Sequence, residues 1–179
     1  MRVLGLSGSL RAESLNARLL RLAAEELRAD STFEEFDDLA QIPPFDEDLL
    51  DLQPESVERL KRAIAAADAI LIATPEYNGS IPGQLKNALD WVSRPLADSP
   101  IRSKPVAVVG ASTGAFGGIW AQRELKKVLG LMGARVLDVE LPVAKADRRL
   151  EHENEELRTE LRLVAEALGS ATAPVALAV

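Results

Sequence analysis

The side chains best suited to binding chemistry lie near the amino terminus, in a polar segment between two apolar patterns. This segment, residues 8–16, offers hydroxyl, guanidinium and amide groups on Ser9, Arg11, Ser14 and Asn16. A buried apolar run precedes it and an amphipathic helix pattern follows, so the N–H groups at the helix start add about half a positive charge. The segment is therefore predicted to hold a phosphate. The alternative is a helix cap on Ser14 or Asn16 beside a solvated arginine.

Two common phosphate-loop patterns do not match this segment. No Gly-Lys-Ser or Gly-Lys-Thr triplet follows it, as the loop of a nucleoside triphosphatase requires. Gly5 and Gly8 also lack the spacing of the dinucleotide-binding fingerprint. Nucleoside triphosphate hydrolysis therefore loses support, and a monophosphate ligand fits better.

A second candidate loop, residues 74–83, has a proline on each side of an Asn-Gly turn. The prolines stiffen the backbone, so its central amides can contact the polar edge of a flat ligand. Tyr77 is the single tyrosine, and it either flanks a ring or is a half-buried loop aromatic with no ligand role. Glu76 fits a structural hydrogen-bonding anchor better than a general base.

A third loop, residues 110–118, is rich in glycine and keeps two hydroxyls, on Ser112 and Thr113. Glycine allows another group to approach the backbone closely, although a tight strand-to-helix turn explains the same composition. The three loops taken together make one shared ligand site the better explanation.

The order of apolar patterns predicts how these loops are positioned. Runs without period-two alternation indicate buried strands at residues 3–6, 69–73, 106–109 and 134–141, and residues 32–36 form the natural second strand. An apolar stripe at helical spacing follows each of them. This alternation implies a doubly wound, five-stranded parallel sheet with helices on both faces. In the order 2-1-3-4-5, strands one, three and four end side by side, so the three loops meet.

Local signals set several boundaries within this pattern. Pro54 and Pro82 are predicted to lie in first helical turns, and Gly133 is predicted to end a helix. Residues 37–53 form a long connection of mixed acidic and apolar character, which is typical of a functional or interfacial segment.

The composition narrows the class, partners and compartment. The 179 residues, 47% of them hydrophobic, fit a single domain over residues 1–179, with 170–179 as a frayed or partner-packed tail. A net charge of −7 offers nucleic acid or an anionic membrane no general attraction. The chain has no cysteine and one histidine, His152, which fits a solvated helix-start residue. A cytoplasmic protein without a metal, nucleic-acid or membrane partner is expected.

Three motifs together resemble the NADPH-dependent FMN reductase family. They are Gly8-Ser9-Leu10-Arg11-x-x-Ser14-x-Asn16, the run from Pro75-Glu76-Tyr77-Asn78-Gly79 to Trp91, and the loop 112–118. The resemblance covers nearly the whole chain and implies a flavodoxin-like fold, FMN as cofactor, and NADPH or NADH as co-substrate. It also implies that Ser9, Arg11, Ser14 and Asn16 hold the FMN phosphate. By the same resemblance the flavin ring lies between Pro75, Glu76, Tyr77, Asn78 and Gly79 on one side and Ser112 and Gly114 on the other.

The family includes quinone, chromate and azo-dye reductases, so the resemblance implies an oxidoreductase. In this interpretation a hydride passes from NAD(P)H to FMN in a ping-pong reaction, and the flavin then reduces a quinone, chromate, azo or flavin acceptor. A flavodoxin-like electron carrier and a flavin-free interaction module of the same fold are the alternatives. The preference for NADPH depends on whether Arg102, Lys104 or Arg123 reaches its 2′-phosphate.

The resemblance further implies a homodimer or homotetramer. Family members usually associate through the helix that contains residues 85–91 and through the acidic connection. Helical phasing from Leu85 and Leu89 predicts an exposed Trp91, which is suited to anchor such an interface. The alternative is that Trp91 packs in the core.

Overall fold

The computed structural model describes residues 1–150 and 154–173 as an alternating series of strands and helices. The strands are β1 Arg2–Ser7, β2 Thr32–Phe36, β3 Ala69–Ala73, β4 Pro105–Ala111, β5 Arg135–Val136 and β6 Leu141–Val143. The helices are α1 Leu15–Glu25, α2 Glu55–Ala66, α3 Gly83–Val92, α4 Ile119–Leu131, α5 Ala146–Arg149 and α6 Glu155–Thr172. Two 3-10 helices, Leu39–Gln41 and Glu47–Leu52, lie between β2 and α2. His152 and residues 174–179 lie outside the described residues.

The strands pair in parallel in the order β2-β1-β3-β4-β5, which confirms the predicted doubly wound sheet. In register, Leu4 of β1 faces Ile70 of β3, which in turn faces Val106 of β4. The carboxyl ends of these three strands therefore lie side by side, at the edge where the chain reverses its winding.

The fifth strand is not continuous, so its predicted extent over residues 134–141 is wrong. Two short strands, β5 and β6, both pair with β4 instead. Val136 faces Val106 and Leu141 faces Val109, so residues 137–140 span only residues 107 and 108 of β4. The two extra residues interrupt the ladder at the sheet edge, and of the four the Leu137 N–H still donates to the Val106 carbonyl at 2.8 Å. An apolar pattern does not reveal register, so the sequence could not show the break.

Both faces of the sheet are covered, which explains the missing period-two alternation. On one face, Leu4, Ile70 and Val106 pack in a core with residues of α2, α3 and α4. On the other face, Val3 and Leu71 pack with residues of α1, α5 and α6. The sheet is thus a rigid base for the loops at its carboxyl edge. Among the helices of the described residues, none has the length and apolar character that a bilayer crossing needs.

Proline and glycine mark helix ends as predicted, with one small difference. Pro54 and Pro82 occupy the N-cap positions of α2 and α3, one residue before the first helical turn. Gly133 follows α4 with a φ of 84°, so the predicted helix stop is confirmed. Glycine adopts this left-handed conformation without the steric cost that other residues meet.

The long connection before α2 packs against α3 and buries Trp91. The Trp91 indole Nε1 donates a hydrogen bond to the Pro43 carbonyl at 2.9 Å, and its ring meets Phe45 edge-on at 5.1 Å. Trp91 is 0% exposed, so the predicted exposed interface anchor is wrong and the core alternative is correct. Helical phasing failed here because the connection covers a helix face that would otherwise meet solvent.

Candidate active site

The loops after β1, β3 and β4 meet at the carboxyl edge of the sheet and enclose a cleft of about 180 Å³. The cleft is lined by most of the predicted site residues, namely Ser9, Arg11, Ser14, Asn16, Pro75, Glu76, Tyr77 and Ser112. Asn78, Gly79 and Gly114 belong to the same loops but lie outside this lining. The prediction that the three loops share one cleft is confirmed.

The start of α1 makes one end of the cleft electropositive. The Ser14 hydroxyl oxygen accepts hydrogen bonds from the Asn16 and Ala17 N–H groups, both at 3.2 Å, so Ser14 caps the helix. The first turn of α1 contains no acidic residue to neutralise the helix dipole. Arg11 is exposed, and among the described residues only its backbone N–H is bonded, to Ser9 Oγ at 3.4 Å. Its guanidinium is therefore available to an anion.

Asn16 connects the start of α1 to the end of β4. Its Nδ2 donates to the Ala111 carbonyl at 3.0 Å, and its Oδ1 accepts from the Ala111 N–H at 2.9 Å. The residue is 3% exposed, so both bonds are buried. These bonds leave one Nδ2 hydrogen for a ligand. Asn16 thus has a structural role that residue type and spacing did not show.

The first and second loops touch at Gly8, where a side chain would crowd its neighbours. A Cβ at this position would lie 2.9 Å from Leu85 Cδ2 and 3.3 Å from Pro75 Cδ. The Gly8 N–H also donates to the Ala73 carbonyl at 2.8 Å, which extends the β1–β3 ladder beyond the strands. Glycine here permits the close approach of the two cleft walls.

The second loop turns tightly at Asn78 and Gly79. Tyr77 and Ser80 exchange two backbone hydrogen bonds, at 3.0 and 3.1 Å, and the two residues between them have φ of 55° and 73°. Positive φ at both central positions defines a type I′ turn, for which Asn-Gly is the favoured pair. The predicted turn is confirmed. It holds Tyr77, which is 50% exposed, in the cleft wall, where its ring can contact a flat ligand.

Glu76 joins the second loop to α4. Its Oε2 accepts hydrogen bonds from the N–H groups of Trp120 and Ala121, at 3.0 and 3.1 Å. Both donors belong to the first turn of α4, so the carboxylate caps that helix and complements its dipole. The anchor interpretation of Glu76 is confirmed.

Glycine and a buried amide fix the third loop. A Cβ on Gly117 would lie 2.4 Å from the carbonyl carbon of Pro142, and Gly117 has a φ of 60°. Below the loop, Gln122 is fully buried and its Nε2 donates to the Gly117 carbonyl at 3.2 Å. The Ser112 hydroxyl accepts from the Gly114 N–H at 3.1 Å. The loop is therefore a fixed wall of the cleft.

Two further amides, Gln84 and Asn87, hold the long connection, and sequence analysis assigned no role to them. Gln84 Nε2 donates to two carbonyls of the connection, at 2.7 and 2.8 Å. Asn87 accepts from the Phe45 N–H at 2.7 Å and donates to the Pro43 carbonyl at 2.8 Å. With Trp91 they lie on one helical face, and this spacing was the available signal.

The three cations considered for a 2′-phosphate lie at two different edges of the sheet. Arg102 and Lys104 precede β4, whose 7 residues extend about 23 Å at about 3.3 Å per residue, so both lie at the edge opposite the cleft. Arg123 is in α4, which begins at the cleft edge, and it bonds Glu140 at 3.2 and 3.3 Å. The hydrogen bond from Arg123 lowers the pKa of Glu140 below its usual value. Only Arg123 lies on the cleft side, and its charge is already paired.

A doubly wound sheet with a polar cleft at its switch point and an electropositive helix start defines a flavodoxin-like, mononucleotide-binding protein. The model of the NADPH-dependent FMN reductase family matches residues 1–148. An NAD(P)H-dependent FMN reductase of Pseudomonas aeruginosa is 44% identical over 139 residues, which cover 77% of this chain and 74% of that protein. A quinone reductase of Escherichia coli is 39% identical over 140 residues, with the same coverage of 77% and 74%.

A solved structure extends the likeness beyond the sequence match. FerB, a flavoenzyme NAD(P)H:(acceptor) oxidoreductase from Paracoccus denitrificans, has a TM-score of 0.84 and 33% identity, over 96% of both chains. The chain belongs to the NADPH-dependent FMN reductase family. It is an NAD(P)H-dependent oxidoreductase whose cofactor is FMN, as the motifs implied.

Proposed function

We propose that the protein passes two electrons from NAD(P)H to a quinone, with FMN held in the cleft. The observation that supports this proposal most is the guanidinium of Arg11, which has no partner among residues 1–150 and 154–173, in the same cleft as the exposed ring of Tyr77. One end of the cleft thus suits a phosphate and the other a flat ring. Two relatives support a quinone as acceptor. They are the quinone reductase of Escherichia coli and a 2-hydroxy-1,4-benzoquinone reductase of a Burkholderia species, which is 45% identical over 121 residues.

The cleft residues fit FMN by their chemistry. Arg11 and the positive end of the α1 dipole would hold the phosphate, together with the polar groups of Ser9, Ser14 and Asn16. The backbone of residues 75–79 would line one side of the flavin ring, with Ser112 and Gly114 on the other. When bound, FMN supplies the two-electron redox chemistry that links the nucleotide to the acceptor.

The chain's own part is to orient the ligands and to stabilise charge. The type I′ turn at Asn78 and Gly79 holds its N–H groups in fixed directions, and such fixed dipoles would stabilise negative charge at a ring edge. In the described part of the chain, Tyr77 is the one aromatic residue of the cleft lining. This sparse aromatic cover leaves room for a nicotinamide or a quinone to stack, which favours a reductase over an electron carrier that shields its flavin.

Anaerobic stopped-flow absorbance of the FMN-loaded protein tests the proposal. We expect NADPH or NADH to bleach the flavin, and a benzoquinone added afterwards to restore its colour. A flavin that stays oxidised with both nucleotides would contradict the reductase and favour the carrier. A protein that takes up no FMN would instead be a flavin-free module.

Steady-state rates with a panel of acceptors test the choice of substrate. We expect the highest kcat/KM with a quinone, compared with chromate, an azo dye and free FMN. A higher value with one of the other acceptors would overturn the quinone assignment and leave the reductase assignment intact.

We further propose a cytoplasmic homodimer or homotetramer. Phe116 and Trp120 are 62% and 47% exposed, and their rings lie 4.8 Å apart beside the Glu76 anchor. Exposed aromatic pairs of this kind favour an interface. Light scattering should give a single species of two or four chains of 19.3 kDa, and a monomer at micromolar concentration would contradict this proposal.

A further inference from the structure

A second cavity lies at the amino edge of the sheet, on the side opposite the cleft. Its volume of about 760 Å³ is within the range of small-molecule sites. The residues before β4, the first residue of β5 and the end of α6 form much of its wall. None of its lining residues belongs to the FMN cleft.

The wall of this cavity is basic, although the chain carries a net charge of −7. It contains the cations Arg28, Arg102, Lys104 and Arg135 and the carboxylates Asp30 and Asp68. Both carboxylates already have partners. Asp30 pairs with Arg28 at 3.3 Å, and Asp68 accepts a hydrogen bond from the Arg2 backbone N–H at 2.7 Å. Asp68 keeps its negative charge, because a backbone N–H does not neutralise it, so four cations and two carboxylates leave the wall with two excess positive charges that attract an anion.

Two of these cations are held in place by helix carbonyls. Lys104 Nζ donates to the Ala65 carbonyl at 3.0 Å and to the Ala67 carbonyl, at the end of α2. Arg135 donates to the Ala171 carbonyl in the last turn of α6. These bonds use only some of the N–H groups of Lys104 and Arg135, so each side chain can still donate to a ligand. The partial negative charge of a helix end, about half a unit, reduces the field of a full cation without cancelling it.

Arg102 has the greatest unused capacity. Its side chain packs over Gly133, where a Cβ would lie 3.3 Å from Arg102 Nη1, and its guanidinium has no partner among the described residues. Arg102 is also exposed, so its guanidinium is free to bind an anion in the cavity.

We propose that this cavity binds a small multivalent anion of the phosphate class, with Arg102 and Arg135 as its main ligands and Lys104 adding charge. Guanidinium groups bind phosphate oxygens in pairs, which suits both arginines. The ligand is a bare phosphate chain or the phosphates of a nucleotide. The site is separate from the FMN cleft, so its failure would leave the oxidoreductase function untouched.

Isothermal titration calorimetry of the FMN-saturated protein with pyrophosphate, at constant ionic strength, tests the site. Saturation with FMN occupies the phosphate loop after β1, so the heat reports the second cavity. We expect one pyrophosphate per chain and an affinity about tenfold weaker in Arg102→Gln, because one charge-assisted contact is lost. Arg62→Gln removes an exposed arginine of α2 and should bind as the wild type does.

Each result decides the proposal. No binding, or equal binding by the wild type and Arg102→Gln, would overturn it, since the cations would then serve only the helix ends. Binding that is lost in Arg11→Gln but kept in Arg102→Gln would also overturn it, by assigning the anion to the FMN loop. If Arg102→Gln does not fold, Arg135→Gln carries the same test. Tighter binding of ADP than of pyrophosphate would support a nucleotide ligand, and the reverse order a bare phosphate chain.

Discussion

Replacing Asn16 with alanine should loosen the cleft by separating the start of α1 from the end of β4. The Asn16 amide makes two buried hydrogen bonds to the Ala111 backbone, at 3.0 and 2.9 Å. Truncation leaves the Ala111 N–H and carbonyl without partners, and each unsatisfied buried group costs about 1–3 kcal/mol. Water from the cleft side recovers part of this cost, so we expect a loss of about 3 kcal/mol in the free energy of unfolding.

Urea unfolding of the FMN-free protein, followed by circular dichroism, measures this loss directly. In a chain of this length, about 3 kcal/mol corresponds to a fall in Tm of about 6–12 °C. Flavin fluorescence quenching should also show weaker FMN binding, because the start of α1 shifts. The control is Asn154→Ala, which removes the cap bond to the Leu157 N–H at 3.0 Å. It should cost about 1 kcal/mol and leave FMN affinity unchanged.

Asn16→Ala would refute the reasoning if it cost no more than this control. Asn16→Asp gives a second test, because the carboxylate keeps the acceptor for the Ala111 N–H but places an oxygen against the Ala111 carbonyl. At neutral pH this variant should be at least as unstable as Asn16→Ala. Its stability should recover as the pH falls, since a protonated carboxyl group can donate to the carbonyl. A variant insensitive to pH would show that the Nδ2 bond contributes little.

Two other substitutions address the cofactor and the stability of the fold. Arg11→Gln should weaken FMN binding about tenfold by removing a charge-assisted contact, measured by fluorescence quenching. Arg62→Gln, the control, should bind FMN as the wild type does. Equal FMN affinities in the two variants would place the phosphate away from Arg11. Hydrogen bonds from Arg158 and Arg162, both at 2.9 Å, hold the pKa of Glu26 below its usual 4.5. Because the pKa of Glu26 is lower in the folded state, its ionised carboxylate stabilises the fold fully above pH 4.5, the ordinary value. This contribution is lost as the pH falls from 4.5 through the lower pKa of the folded state. The stability advantage of the wild type over Glu26→Gln should therefore be full at neutral pH and vanish in acid. Denaturation curves across pH check this, and an advantage that persists in acid would contradict the role of the Arg158 bond.

The sheet could be predicted because its determinants are local. A strand buried on both faces is an uninterrupted apolar run, and Ala69–Ala73 has the predicted bounds for that reason. The break between β5 and β6 depends on register against β4, which no property of residues 134–141 records. The prediction of an exposed Trp91 was wrong for a similar reason, since its partners, Pro43 and Phe45, come from a distant part of the chain.

The same distinction separates the site residues that could be predicted from those that could not. The Asn78-Gly79 turn and Gly117 have positive φ, a demand of the local backbone that residue type reveals. Asn16 contacts a residue 95 positions away, so its type alone could not separate a ligand donor from a structural link. Its role depends on which strand end the fold places beside it.

The polar side chains around the cleft mostly contact backbone, and this bears on how the site works. Asn16 holds the end of β4, Glu76 holds the start of α4, and Gln122 holds the glycine-rich loop. Each of these bonds fixes the direction of N–H or carbonyl groups in the wall. In a family where the cofactor supplies the reactivity, the chain has to keep such dipoles in place rather than supply a proton or a nucleophile. Substitutions at these positions should therefore change FMN affinity through geometry, even where no reacting group is lost.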